Sequence, residues 1–396
     1  MKINTDKKLI DEFLTRGVEV VYPHADDLRE KLMSGDRLRV YQGFDPTGPY
    51  LHVGHAMGIR AMRLLQQMGH EVIFLVGDFT ATVGDPDKDT TREMLTEEQI
   101  QKNMAGWKEQ AGQLIDFEGE NPVQFKRNSE WLKELKLADL LKLMSHTTLQ
   151  RTLERDLFER RLKAEDPIRL HEILYPLMQG YDGVAMEVDI EIGGADQTFN
   201  MLTGRTLSKA YLNKEKFVRA NRMMNAPDSK TMSKTKGNGI NLADSPEDMY
   251  GKAMSYADDE IINGFELLTE VPMEEIKEIE KELNGGTNPM EFKKKMAFEI
   301  VKIIKGVEAA QIGQSNFEKV IQSKDKPEDM KELSPSKNDI ITVLVEAGFV
   351  KSTTEARQNI KGGGVKINDE KVEGVDVGVK SGDVVQKGKR FFVKIK

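Results

Sequence analysis

The chain has 396 residues, more than one domain usually holds, with 38% hydrophobic and 31% charged residues, the proportions of a globular rather than a disordered protein. It has no cysteine, which excludes disulfides, thiolate catalysis and cysteine-ligated zinc or iron clusters. The net charge of −8 argues against broad nucleic-acid affinity, yet from Ser334 onward 12 Lys and Arg face 8 Asp and Glu, a net +4 that leaves −12 on residues 1–333. The N-terminal stretch lacks the apolar core and cleavage site of a secretory signal, and no run reaches membrane-spanning length, so a cytoplasmic protein with no membrane partner is expected.

Taken in chain order, Arg37 to Gly43 (RLRVYQG) reads as a buried strand that FDPTGP interrupts. A helix follows through HVGHAMGIRAMRLLQQMGH, with Met57, Ala61, Leu64, Leu65 and Met68 on one face and Gly69 at its cap. The apolar run EVIFLVGD then predicts a second buried strand, which makes a βαβ unit and a parallel sheet. Residues 90–180 read as mostly helical; VDIEIGGADQ returns to strand, and FNMLTGRTLSKAY to helix.

The expected architecture is therefore α/β: a Rossmann-like, doubly wound parallel sheet over residues 1–225. A polar loop and connection over 226–244 leads to a helical domain over 245–322. A charged, proline-punctuated linker is expected over 323–336 and a small α+β unit over 337–396, with two short helices, a Gly-rich turn and a hairpin.

Three groups of residues carry chemistry. His52-Val53-Gly54-His55 sits between a strand and a helix, where imidazoles, a helix dipole and a glycine that admits close approach all suit a phosphate chain. The same four residues in isolation equally fit capping or surface histidines. Lys230-Thr231-Met232-Ser233-Lys234-Thr235-Lys236 is a polar lysine loop, either a solvated turn or a mobile cover that brings cations to a polyphosphate. In YPLMQGYDGV, Tyr175, Gln179 and Asp182 share one helix face among Leu174, Leu177 and Met178, so a carboxylate there wants a partner.

HVGH followed about 180 residues later by the lysine loop resembles the two signature motifs of class I aminoacyl-tRNA synthetases. The strings YQGFDPTGPYLHVGH, VGDPD, LYPLMQGYD and IGGADQTFN resemble, in order, the matching segments of bacterial tyrosyl-tRNA synthetases. The tail resembles the ribosomal-protein-S-four-like RNA-binding module of that family, with Lys351, Arg357, Lys361 and Lys366 as its expected RNA contacts.

The resemblance implies tyrosine activation by ATP, with magnesium carried on the nucleotide, and transfer to tRNA(Tyr) by a homodimer with no protein-bound metal. It assigns the phenol to Tyr41 and Asp182, the amino group to Asp85, Tyr175 and Gln179, and the carboxylate to Gln197, with Asp45 a further polar residue of the pocket. Gly43, Thr47, His52, Gly54 and His55 line up with ATP contacts, Gly194 and Asp196 with the ribose, and Lys234 with the second lysine of the catalytic loop, while Lys230 stands just before the position of its first; Thr47, His52, His55, Lys230 and Lys234 are the expected catalytic residues. In this sequence Thr231 and Thr235 depart from the loop motif, and Glu191 stands where some bacterial relatives carry Gln. Two other readings remain: a tryptophanyl-tRNA synthetase, and a nonenzymatic RNA-binding protein on a synthetase scaffold.

Overall fold

A computed structural model describes residues 2–85, 95–227, 239–319, 330–372, 374–388 and 391–396. Six strands, β1 (Val18–Tyr22), β2 (Arg39–Phe44), β3 (Glu71–Val76), β4 (Gln124–Arg127), β5 (Ile190–Gly194) and β6 (Phe217–Asn221), form one sheet in the order β1-β6-β5-β2-β3-β4. β2 to β6 are parallel, and only the edge strand β1 runs antiparallel to its neighbour. The parallel sheet is as the sequence indicates, and the chain winds outward from β2 to β4 before returning to β5 on the other side. The carboxyl ends of β2 and β5 are thus the switch point of the winding, where such sheets open a crevice.

Three of these strands depart from expectation, among them β6, which follows the last helix read from the sequence in this domain. β1 precedes the first strand read from the sequence, and β4 lies inside the 90–180 stretch expected to be mostly helical. With only four residues, the β4 segment (QFKR) is too short and too charged to announce a strand by periodicity. It exists because the edge of β3 offers a ladder, with Phe74 and Phe125 in register and their rings stacked at 5.5 Å.

Helix α1 (Val53–Gln67) connects β2 to β3, and Gly69 at φ 92° ends it as the sequence suggests. Its face differs from the expected one: Ile59, Met62 and Leu65 are fully buried, whereas Met57 and Leu64 are half-buried. The helix has a second neighbour, since its Arg60 donates to the Leu267 carbonyl at 3.1 Å. Helices α2 (Tyr175–Ala185) and α3 (Thr198–Leu212) flank β5 in the chain. They cross closely at Gly180 and Gly204; a Cβ on Gly180 would stand 3.1 Å from the Cα of Gly204.

Beyond the sheet the chain is helical, as expected: α4 (Pro246–Ala253), α5 (Ile261–Leu268), α6 (Met273–Asn284) and α7 (Pro289–Lys305). Ser245 and Asn288 cap α4 and α7, each followed by a proline that needs no donor in the first turn. These helices belong to one compact unit with the sheet, Met1–Val307. The carbonyls at the end of α5 accept from Arg16 as well as Arg60, cations placed at the negative end of a helix dipole.

The second unit, Glu308–Lys396, holds a sheet of β7 (Glu332–Leu333), β8 (Val365–Ile367), β9 (Glu370–Lys371), β10 (Val384–Lys387) and β11 (Phe391–Ile395), with helices α8 (Ile340–Glu346) and α9 (Thr353–Lys361). Its core is Ile340, Val343, Leu344, Ile360, Val365, Val385 and Val393. The hairpin β8–β9 turns on Asn368 and Asp369, both at positive φ, which short polar side chains tolerate. Within the expected linker, residues 323–329 lie outside the described set, but Glu332 and Leu333 join the sheet because the edge of β11 accepts a parallel partner.

Candidate active site

In the middle of β2, Tyr41 is 1% exposed, and Asp182 on α2 is 3% exposed. The carboxylate of Asp182 accepts from Trp131 Nε1 at 2.8 Å and from Asn128 Nδ2 at 3.2 Å. Burial pushes its pKa well above the usual carboxylate range, against the pull of those two donors. The Tyr41 phenol, 3.5 Å from the Gln179 carbonyl, is likewise pushed up by burial and then by the charges of Glu191 and Asp182. A buried, polar wall of this kind discriminates a ligand hydroxyl from a hydrogen, because its groups are left unpaired by the wrong ligand.

Tyr175 donates to Asp45 at 2.8 Å, and Thr80 holds the other Asp45 oxygen at 2.8 Å. Gly77 makes the room: a Cβ there would fall 2.1 Å from Asp45 Oδ1. The spacing of Tyr175, Gln179 and Asp182 places them on one side of α2, as expected.

A chain of polar contacts then crosses the cleft. Gln179 Nε2 donates to Glu191 at 3.1 Å, and Asn200 Nδ2 donates to Gln179 Oε1 at 3.0 Å and to Gln197 Oε1 at 2.9 Å. Gln197 Nε2 continues to Asp85 at 2.7 Å, and Asp85 also receives Arg155 at 3.1 Å. The seven residues expected at the amino-acid end are held by two sets of hydrogen bonds: Asp45, Tyr175 and Asp182 through Thr80 and Asn128, and Tyr41, Gln179, Gln197 and Asp85 through Asn200. Asp196 is exposed just beyond Gly194, and Gln197 Nε2 reaches it at 3.3 Å.

The other end of the cleft is made from backbone and imidazoles. His52 caps α1; its backbone N–H donates to His55 Nδ1 at 3.0 Å, which makes Nδ1 the acceptor and leaves the proton of a neutral ring on Nε2. The two rings lie 3.8 Å apart. Thr47 is tied by its N–H to the Asp45 carbonyl at 2.8 Å, Gly43 is exposed one residue before the end of β2, and Gly54 lies in the first turn of α1. A helix N-terminus bearing imidazole donors is a site for phosphate oxygens.

Lys230, Thr231 and Lys234 lie outside the described residues. The chain just after the lysine loop is described, and it pairs with the histidine segment: Val53 N–H donates to the Ile240 carbonyl at 2.9 Å, and Leu242 N–H to Leu51 at 2.8 Å. In the second unit Lys351, Arg357, Lys361 and Lys366 are all exposed.

Sequence reasoning missed Asn128, Trp131, Asn200 and Lys216. Asn128 and Trp131 follow the unexpected strand β4, and Asp78 fastens them by accepting from Ser129 N–H at 2.9 Å. Lys216 forms an ion pair with Glu191 on the central strand β5; both are almost wholly buried. A signal for that partner was available, since a lone Glu in the apolar run IEIG needs a counter-charge.

Residues 33–322 match the family model of tRNA synthetases class I (W and Y), and residues 319–394 match the tyrosine--tRNA ligase SYY-like C-terminal domain. The chain is 41% identical to the tyrosine--tRNA ligase of Moorella thermoacetica, covering 96% of this chain and 94% of the relative. It is 38% identical to that of Dehalococcoides mccartyi, covering 99% of this chain and all of the relative. A C-terminally truncated mitochondrial tyrosyl-tRNA synthetase from Aspergillus nidulans shares the fold at a TM-score of 0.66 and 23% identity, covering 78% of this chain and 93% of that one. The W-and-Y model spans the cleft, while the tail model and the full-length relatives are specific to tyrosine, so the chain belongs to the tyrosine--tRNA ligase family of class I tRNA synthetases.

Proposed function

We propose that the cleft carries out both half-reactions of tyrosine--tRNA ligation, with tyrosine between Tyr41 and Asp182 and ATP along the start of α1. The observation that carries this reading is the buried Asp182, held by Trp131 and Asn128 on the same helix face as Tyr175 and Gln179. A phenol both donates and accepts, which suits the Asp182 and Tyr41 pair; an indole only donates.

In the first step the tyrosine carboxylate attacks the α-phosphate of ATP and pyrophosphate leaves. In the second, a hydroxyl of the 3′-terminal ribose of tRNA attacks the tyrosyl carbonyl and AMP leaves. The substrate supplies each nucleophile, so the protein's part is placement and charge stabilisation. Asp85, Tyr175 and Gln179 take the ammonium group, Gln197 the carboxylate, and Asp45 braces Tyr175. Gly43, Thr47, His52, Gly54 and His55 meet the nucleotide phosphates and adenosine, Gly194 and Asp196 the ribose, and Lys230 and Lys234 arrive from the loop. Magnesium enters on the nucleotide as part of the substrate.

The exposed cations Lys351, Arg357, Lys361 and Lys366 fit contacts to the RNA backbone, supported by the charge reversal of the tail. Exposed Leu137, Leu141, Leu149, Leu162 and Leu170 fit the apolar surface of a homodimer. The enzyme would act in the cytoplasm, where its tRNA substrate is found; no described helix is long and apolar enough to cross a membrane. Pyrophosphate exchange into ATP with tyrosine, followed by charging of tRNA(Tyr), tests the reading. Exchange that does not depend on tyrosine overturns it.

A further inference from the structure

The reaction as derived uses neither Lys216 nor Glu191, although both are sealed behind the amino-acid end of the cleft, 0% and 2% exposed by side chain. An ion pair in such a place gains little stability over apolar packing, so its presence calls for another account. Space is reserved for it. A Cβ on Gly204 would stand 2.2 Å from Lys216 Nζ and 3.3 Å from Glu191 Oε2, and one on Gly183 would stand 3.2 Å from Nζ. Lys216 is spoken for by one Glu191 oxygen and also lies 6.0 Å from the centre of the Tyr41 ring.

The second Glu191 oxygen accepts from Gln179 Nε2 at 3.1 Å. A carboxylate only accepts, so the Gln179 amide must turn its NH2 toward Glu191 and its carbonyl oxygen away. That oxygen meets Asn200 Nδ2 at 3.0 Å and retains a second lone pair. With Gln in place of Glu191, either end of the Gln179 amide is satisfied on that side, and only the donor Asn200 Nδ2 still sets its direction.

We propose that Lys216 and Glu191 are positioning residues for amino-acid recognition: Glu191 orients the Gln179 amide so that its carbonyl oxygen faces the substrate ammonium, and Lys216 balances the charge of Glu191. The proposal rests on the reading that Gln179 receives the amino group. It explains why the buried Glu191 comes with a lysine and two clearing glycines, and it links the β5–β6 layer to the choice of ligand.

The test compares binding of tyrosine with binding of 3-(4-hydroxyphenyl)propanoate, the same molecule without its amino group, to the full chain. The double variant Glu191→Gln/Lys216→Met removes both charges together, so no buried charge is left unpaired. Its preference for tyrosine over the analogue should fall about tenfold or more, the scale of one hydrogen bond to a charged group, while KM for ATP stays within about twofold. Gln179→Leu should lose the preference to a similar extent. If the double variant does not fold, Glu191→Leu/Lys216→Met lifts the same constraint and carries the same expectation. Retention of the wild-type preference by the double variant, when Gln179→Leu loses it, overturns the proposal and leaves the reading of Gln179 standing. Retention by both overturns that reading, and the proposal with it.

Discussion

At the amino-acid end of the cleft Tyr41, Tyr175, Asp182 and Glu191 are each less than a tenth exposed, whereas at the nucleotide end Thr47, Gly54 and His55 are half-buried and Gly43 is open. The first end is closed by side chains that satisfy one another across α2, α3, β5 and the segment after β4. The second is formed by the start of one helix and the backbone around it. The difference follows from the task. Selecting one side chain among twenty needs polar groups kept from water, at a cost in stability. Holding a triphosphate needs donors and a dipole at a surface where the nucleotide and the tRNA end can come and go.

Replacing Asp182 with Asn breaks this contrast most severely. The tyrosine kcat/KM in exchange should fall at least about a hundredfold, because one of the donors Trp131 and Asn128 then meets an NH2 group instead of an oxygen and the phenol loses the carboxyl group. Stability should lose its dependence on pH at this site. The folded pKa of Asp182 is raised, so its contribution to stability is full below the ordinary carboxylate range and declines as pH rises through its folded value. Asp182→Asn removes that decline, and denaturation midpoints across pH check it.

His55→Asn probes the open end. With solvent able to fill part of the gap, exchange kcat should drop roughly tenfold to a hundredfold while tyrosine affinity is unchanged. Titration of tyrosine binding alongside exchange separates the two ends, and a parallel loss of tyrosine affinity would merge them.

Removal of residues 330–396 addresses neither end. Exchange should remain within about twofold of the intact chain, and charging of tRNA should weaken about tenfold at moderate salt, as phosphate contacts are lost. Side-by-side exchange and charging assays decide it; an equal fall in both would tie the tail to the cleft.

The smallest effect on activity is expected at His70, which is fully buried away from both ends and accepts from Leu38 N–H at 3.2 Å. Burial lowers its pKa to about 4. The unfolded chain therefore takes up the proton first, and stability is lost as pH falls from about 6.5 toward 4, by up to about 3 kcal/mol. His70→Asn should flatten that acid limb, opposite in sign to the slope from Asp182. Urea midpoints between those pH values test it.

Much of this was readable before any coordinates. The run from Tyr41 to His55 has strand, break and helix in plain succession, and Tyr175, Gln179 and Asp182 declare their common face by spacing. What stayed hidden was whatever a side chain meets from a distant segment. Asn128 and Trp131 follow a four-residue strand whose pattern is too short to show, and only the ladder with β3 creates it. Lys216 sits in the charged string NKEKF and reads as a surface lysine; the glycines that admit it, Gly183 and Gly204, come from two other helices. Thr231 in the loop is visible as a departure from the motif, and its consequence lies with residues outside the described set.

The central claim is that the buried pair Tyr41 and Asp182 selects the phenol. Pyrophosphate exchange with tyrosine, phenylalanine and tryptophan, run on the native chain and on Asp182→Asn, tests it most directly. The account expects exchange with tyrosine alone in the native chain, and a ratio of tyrosine to phenylalanine that collapses in the variant. An unchanged ratio in Asp182→Asn, or native exchange with phenylalanine as rapid as with tyrosine, would contradict it.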